Sequence, residues 1–268
     1  MLDASIMDTS QRFQLRRSIS VMNESFTAEK HKWKHRQPRT GEAPAGLQWL
    51  NTPEHRHAKL LFYWPLFGLI FFLLERFRPG QIYYAVHCSL DDLIPFCQWA
   101  LIPYLFWFVF LIGALVYTFF FDVPAFRKMM YFIIVTYTLA LLIFILFPTC
   151  QHLRPTSFEQ DNVLTRIIAW FYQFDTNTDV CPSLHVVGSL AAMFALWDCK
   201  RLQRPGWKVV FAGMALSISL STVFMKQHSV VDICMAIVVS AIGWFFSYGR
   251  GVSVFTPEPV PVKEEETA

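Results

Sequence analysis

Charge is scarce in this chain, and so are close cysteine pairs, a leader-like apolar segment and internal repeats. Only 16% of the 268 residues are charged while 54% are hydrophobic, which excludes an ordinary soluble domain of this length. The six cysteines, Cys88, Cys97, Cys150, Cys181, Cys199 and Cys234, lack the short paired spacings of a zinc site. No structural metal or other cofactor is therefore expected. Met1 to Arg39 is polar and basic without an apolar core of the signal-peptide kind, so the first span is expected to act as the anchor. The net charge of +3 is unremarkable, and no nucleic-acid partner is expected.

What the chain does have is apolar length. Stretches near 58–75, 93–121, 129–148, 183–198, 208–226 and 229–248 approach the roughly 20 residues that cross a bilayer. They predict an all-α, six-span transmembrane bundle over residues 58–250, in contact with membrane lipids. The second stretch is overlong and holds Pro95 and Pro103, so its start is expected outside the hydrocarbon or tilted; the fourth is short. The 27 Phe, nine Trp and nine Tyr suit lipid-facing helices and interfacial belts. Residues 1–57 read as a basic, disordered arm, either solvated or touching anionic lipid, and the acidic, proline-broken 251–268 as a disordered tail. Within the connection 149–182, residues 163–171 suit an amphipathic helix in the membrane interface.

Six spans put both termini on one side. Eighteen of the 23 Lys and Arg then fall on that face, against five on the other: Arg76, Arg78, Arg154, Arg166 and Lys226. Positive charge marks cytoplasmic loops, so the termini are expected in the cytosol. The opposite, non-cytosolic face collects the unusual polar residues.

His228 and Asp232, four apart, would share a face if helical, and the carboxylate could then fix the imidazole tautomer and stabilise its positive form. The other ring nitrogen would be left as nucleophile or base. His185 follows Pro182 and Ser183 where a helix should start, so Ser183 could cap it beside backbone N–H groups suited to an anion. A second histidine there could protonate a leaving alkoxide. Arg154 and Lys226 would supply cations for phosphate oxygens. The plain structural readings are a His–Asp pair closing a helix junction, a capping histidine and two snorkelling cations.

Arg154-Pro155, then Pro182-Ser183-Leu184-His185, then Ser221-Thr222 followed at the right intervals by His228 and Asp232 together resemble the type-2 phosphatidic acid phosphatase superfamily. This superfamily of lipid phosphate phosphatases shares its catalytic core with vanadium haloperoxidases. The resemblance covers about residues 90–248, and Asp91-Asp92-Leu93-Ile94-Pro95-Phe96 looks like a bacterial branch. It implies a haloperoxidase-like core in which His228 forms a phosphohistidine, His185 is the general acid, Asp232 orients the nucleophile, and Arg154 and Ser183 bind phosphate. Three positions depart from the pattern: Phe147 stands where the first-motif Lys would fall, Leu184 replaces Gly, and Thr222 replaces Arg. These departures are similar to those of the inositol phosphorylceramide and sphingomyelin synthases.

The function expected is hydrolysis of a lipid phosphomonoester or pyrophosphate at a non-cytosolic site. The alternatives are transfer of a phosphorylated head group to a lipid hydroxyl and, in another class, a transporter using His and Asp as an ion relay. A zinc site of His185, His228 and Asp232 has suitable ligand types but is not expected. Two further expectations concern geometry. Cys150 and Cys181 are either free thiols or a disulfide across the 149–182 connection. If 222–228 is helical, Lys226 reaches back over Thr222 and replaces the missing cation.

Overall fold

The chain divides into residues 1–53 and 54–268. The computed structural model describes residues 55–78 and 81–249, together with Leu50 and Thr52. The expected tail and all but the last residues of the expected basic arm therefore lie outside the described residues.

A 3-10 segment, Arg56–Phe62, leads into α1, Tyr63–Arg76. After the short strand β1, Tyr84–Ala85, and the one-turn helix α2, Ser89–Leu93, come two long helices, α3, Leu101–Phe121, and α4, Val123–Leu146. Strand β2, Thr149–Cys150, and α5, Val163–Phe174, occupy the long connection. The chain closes with α6, Leu184–Asp198, α7, Pro205–Phe224, and α8, Val230–Tyr248.

Among the described residues five helical stretches are long and apolar enough to cross a membrane: Arg56–Arg76, Gln98–Phe121, Val123–Leu146, Pro205–Phe224 and Val230–Tyr248. The protein therefore has the character of an integral membrane protein. The second begins at Gln98 rather than near 93, because residues 89–93 form the separate α2 and the chain is extended at Ile94 before Pro95. The third begins six residues earlier than the sequence suggested. Asp122 caps it by accepting the Ala125 amide at 3.2 Å, and Pro124 sits in its first turn.

The fourth expected span, α6, has only 15 residues, about 22 Å of helix at 1.5 Å per residue. None of its residues is exposed. It runs through the middle of the bundle against α3, α4, α7 and α8, so its surroundings are protein. Small side chains allow that close packing: Ala191, Ala192 and Ala195 are fully buried, and a Cβ on Gly188 would lie 2.9 Å from both Trp107 Nε1 and Tyr137 Oη. On α8, a Cβ at Gly243 would collide with Thr136 of α4. The outward faces of α1, α3, α7 and α8 instead expose large apolar groups, among them Leu69, Val109, Val209 and Ile237. That pattern suits a hydrocarbon surround.

The connecting segments gather at the two ends of the bundle. At one end Lys128 pairs with Asp198 at 2.9 Å, and the Lys200 amide donates to Asp122. At the other, β1 runs parallel to β2 with Tyr84 opposite Thr149, and the Cys97 amide donates to the Phe224 carbonyl at 3.0 Å. The expected amphipathic helix at 163–171 is α5, which runs to Phe174. It buries Thr165, Ile168 and Phe171 and exposes Val163 and Trp170. All six cysteines are free thiols, Cys150 and Cys181 included. The possible bridge between those two is not formed.

Candidate active site

His228 is not helical. The last turn of α7 ends at Phe224, and α8 starts at Val230 with Ser229 as its cap. Asp232 is the third residue of α8, and its Oδ2 folds back to accept the Ser229 amide at 3.0 Å while His228 Nδ1 lies 3.1 Å from the same oxygen. The four-residue spacing therefore works through a capping box, in which a carboxylate at the third helical position turns toward the cap. With the carboxylate ionised, Nδ1 carries the proton and Nε2 is left with its lone pair.

His185 arrives from the first turn of α6. Its ring packs between Tyr104 and Trp107 of α3, with centroids at 4.4 and 4.6 Å, and lies 5.8 Å from the His228 ring. The Ser183 amide donates to the Asp232 carbonyl at 3.2 Å, which ties the start of α6 to the start of α8. The two expected histidines and the expected aspartate are thus brought together from segments more than 40 residues apart.

Asp232 is fully buried, and the two histidines line a cavity of about 240 Å³. Phe67, Phe71, Phe108 and Phe171 form its apolar wall, and His185, His228, Gln227, Asp175, Thr176, Thr178 and Asp179 its polar side. Arg154, Ser183 and Lys226 are not among the lining residues.

Arg154 and Lys226 are attached elsewhere, and the Ser183 hydroxyl is not. Arg154 Nη1 donates to the Tyr172 carbonyl at 2.8 Å, and Nη2 to the carbonyls of Asp175 and Thr176 at 2.8 and 2.9 Å and to Gln227 Oε1. Its guanidinium also lies over the Tyr172 ring, 4.6 Å from the centroid. Ser183 occupies the cap position of α6, yet its hydroxyl caps nothing and is fully buried without a hydrogen bond among the described residues. The expected reach of Lys226 over Thr222 does not occur. Residues 225–229 leave the helix, Lys226 adopts φ 54°, and its ammonium donates to the Asp91 carbonyl at 2.7 Å.

Several lining residues were not singled out in the sequence. Asp175 Oδ2 accepts from Tyr104 Oη at 2.9 Å and Gln227 Nε2 at 3.3 Å, so it joins α3 to the His228 turn. The polar run Asp175-Thr176-Asn177-Thr178-Asp179, just ahead of Pro182-Ser183, was a usable signal because it interrupts an apolar chain. Among the described residues no group of three His, Cys, Asp or Glu could hold a metal ion.

Cys181 and Asp179, in the connection ahead of α6, have shifted proton affinities. Burial, with Asp232 alongside, pushes the Cys181 thiol up to about 12, so it is a poor nucleophile at neutral pH. Burial raises the Asp179 carboxyl to about 6, against the lowering effect of Arg78 at 3.8 Å and with Glu75 adding to the rise. Neither Asp179 oxygen has a hydrogen-bond partner among the described residues. The folded state therefore holds a proton that the unfolded chain releases near pH 4, and stability falls as pH rises from about 4 through about 6. Asn tolerates the left-handed backbone at this position, where φ is 51°. Asp179→Asn should raise the thermal midpoint near pH 7.5 and lose about half of that advantage near pH 5. An equal gap at both pH values would contradict this account of Asp179.

No family model, no curated protein and no solved structure matches the chain.

Proposed function

We propose that this protein is a membrane enzyme of phosphoryl transfer that hydrolyses a lipid phosphomonoester or pyrophosphate through His228. The observation that carries the reading is the His228–Asp232 pair, with Nε2 unengaged among the described residues, beside a second histidine on a cavity with an apolar wall. The motif resemblance supports it from the sequence side. In this reading α6 counts as a sixth span, the core is haloperoxidase-like, and the cavity opens on the non-cytosolic face, opposite the termini. The exposed apolar side of α5 would lie in the membrane interface, where an amphiphile enters laterally.

The chemistry has two steps. His228 Nε2 attacks phosphorus, the bond from phosphorus to the leaving oxygen breaks, and a proton from His185 goes to that oxygen. Asp232 stabilises the positive charge that builds on the phosphorylated ring. Water then attacks the same phosphorus, gives its proton to His185, and releases phosphate with the electron pair returning to Nε2.

A second reading replaces water with a lipid hydroxyl. It is favoured by the absence of Lys and Arg from the cavity lining among the described residues, because a singly charged phosphodiester needs less positive charge than a doubly charged monoester. Incubating the purified protein with phosphatidic acid or a phosphodiester lipid, with and without an acceptor alcohol lipid, tests both. Free phosphate supports hydrolysis, a new phospholipid supports transfer, and neither product would contradict both. Flux in vesicles without any product would point instead to a transporter.

His185→Ala should slow substrates with poor leaving groups far more than nitrophenyl phosphates, which leave without a proton. A difference of at least about tenfold between the two classes is expected. Equal losses would contradict the acid role.

A further inference from the structure

The turn that holds His228 has no helix of its own to fix it, yet it is pinned on both sides by one residue more than 130 positions earlier. Asp91 lies in the one-turn α2 and is 2% exposed. Its Oδ2 accepts the Ser229 hydroxyl at 2.6 Å and its Oδ1 the Val230 amide at 2.9 Å, while its carbonyl accepts the Lys226 ammonium at 2.7 Å. His228 lies between these attachments in sequence. The neighbouring Asp92 does none of this: its side chain is 65% exposed and pairs only with His87 among the described residues.

We propose that Asp91 is the positioning residue for His228, holding the imidazole so that Nδ1 stays on Asp232 and Nε2 points at phosphorus. The inference rests on the proposed role of His228 and names the device that serves it. The path is short. The Asp91 carboxylate fixes the Ser229 hydroxyl, whose oxygen in turn accepts the Val231 amide at 3.1 Å. The Ser229 amide is thereby aimed at Asp232 Oδ2, the oxygen that also takes His228 Nδ1. Lys226 completes the clamp from the other side, and it is the residue whose left-handed backbone turns the chain out of α7. Burial alone would raise the Asp91 carboxyl. The hydrogen bonds from Ser229, Val230 and Cys88 outweigh it and hold the group below the usual carboxylate range, so the clamp is ionised and intact at neutral pH.

The test reads the ring itself. Protein labelled with nitrogen-15 in histidine is placed in lipid nanodiscs, the His228 signal is assigned by its loss in His228→Gln, and the tautomer is read from the nitrogen shifts. Wild type and Asp92→Asn should show a single Nδ1–H form. Asp91→Asn, which cannot accept all its donors, and Ser229→Ala, which removes one link, should show mixed tautomers. With phosphatidic acid as probe, kcat should fall about 30-fold in Asp91→Asn with KM within about threefold of wild type, since a misaimed nucleophile weakens the reaction and not binding. A single Nδ1–H signal in both Asp91→Asn and Ser229→Ala would overturn the proposal, and the Ser229 variant decides it if Asp91→Asn does not fold. Mixed tautomers in the variants, with no phosphate release from wild type, would leave the clamp standing and count against the phosphatase reading instead.

Discussion

His228→Ala should lose at least about a thousandfold in turnover, about 4 kcal/mol of barrier, while keeping its fold. The size of the loss follows from the role. If Nε2 forms the bond to phosphorus, no neighbouring group can replace it: His185 is fixed between Tyr104 and Trp107, and the Cys181 thiol is buried and fully protonated at neutral pH. His228→Gln should lose as much, because an amide nitrogen has no lone pair to offer. The fold should survive, since the ring makes one hydrogen bond among the described residues, to Asp232, and sits in a turn held by backbone and Asp91 contacts. Turnover near wild type in His228→Ala, measured as phosphate release, would remove the mechanism.

Arg154→Ala should damage stability as well as activity, which separates it from a residue that only binds phosphate. Its guanidinium supplies the hydrogen bonds that join the carbonyls at the end of α5 and of the following loop to Gln227, the neighbour of the nucleophile. Removing it strips donors from the carbonyls of Tyr172, Asp175 and Thr176, at about 1–3 kcal/mol for each buried group left without a partner. A loss of several kcal/mol, or a markedly lower thermal midpoint, is therefore expected. Arg154→Lys should recover little, because a single ammonium cannot reproduce the planar fork that addresses carbonyls in different directions. Unchanged stability with an activity loss confined to KM would instead assign Arg154 to the substrate.

The sequence was most legible where a single local rule governed the outcome. Apolar length located the helices, and the start of α4, capped by Asp122, was missed only because Arg127 and Lys128 made its first turns look like a loop. The character of α6 was half visible. Its shortness could be read, whereas its central place depended on Gly188 and the alanines meeting four other helices, a tertiary fact. At the site, spacing paired His228 with Asp232 correctly for an imprecise reason, since a capping box and a continuous helix both bring these residues together. Arg154 and Lys226 were harder. Both were read as phosphate cations because they are charges in an apolar setting, but the acceptors they meet are backbone carbonyls, which every residue possesses and no motif announces. Asp91 stood in plain view beside Asp92. Only the fold distinguishes the buried acid from the exposed one.

The central claim is that phosphorus becomes bonded to His228, and trapping that bond tests it most directly. Protein in micelles would be mixed with phosphatidic acid labelled in its phosphate, quenched within a turnover in alkali, digested, and the labelled peptide sequenced. An alkali-stable, acid-labile label on His228, absent from His228→Gln and accumulating when water attack is slowed in His185→Ala with a nitrophenyl phosphate, is the predicted result. Phosphate release at the wild-type rate with no label on His228, or with the label on another residue, would contradict the account.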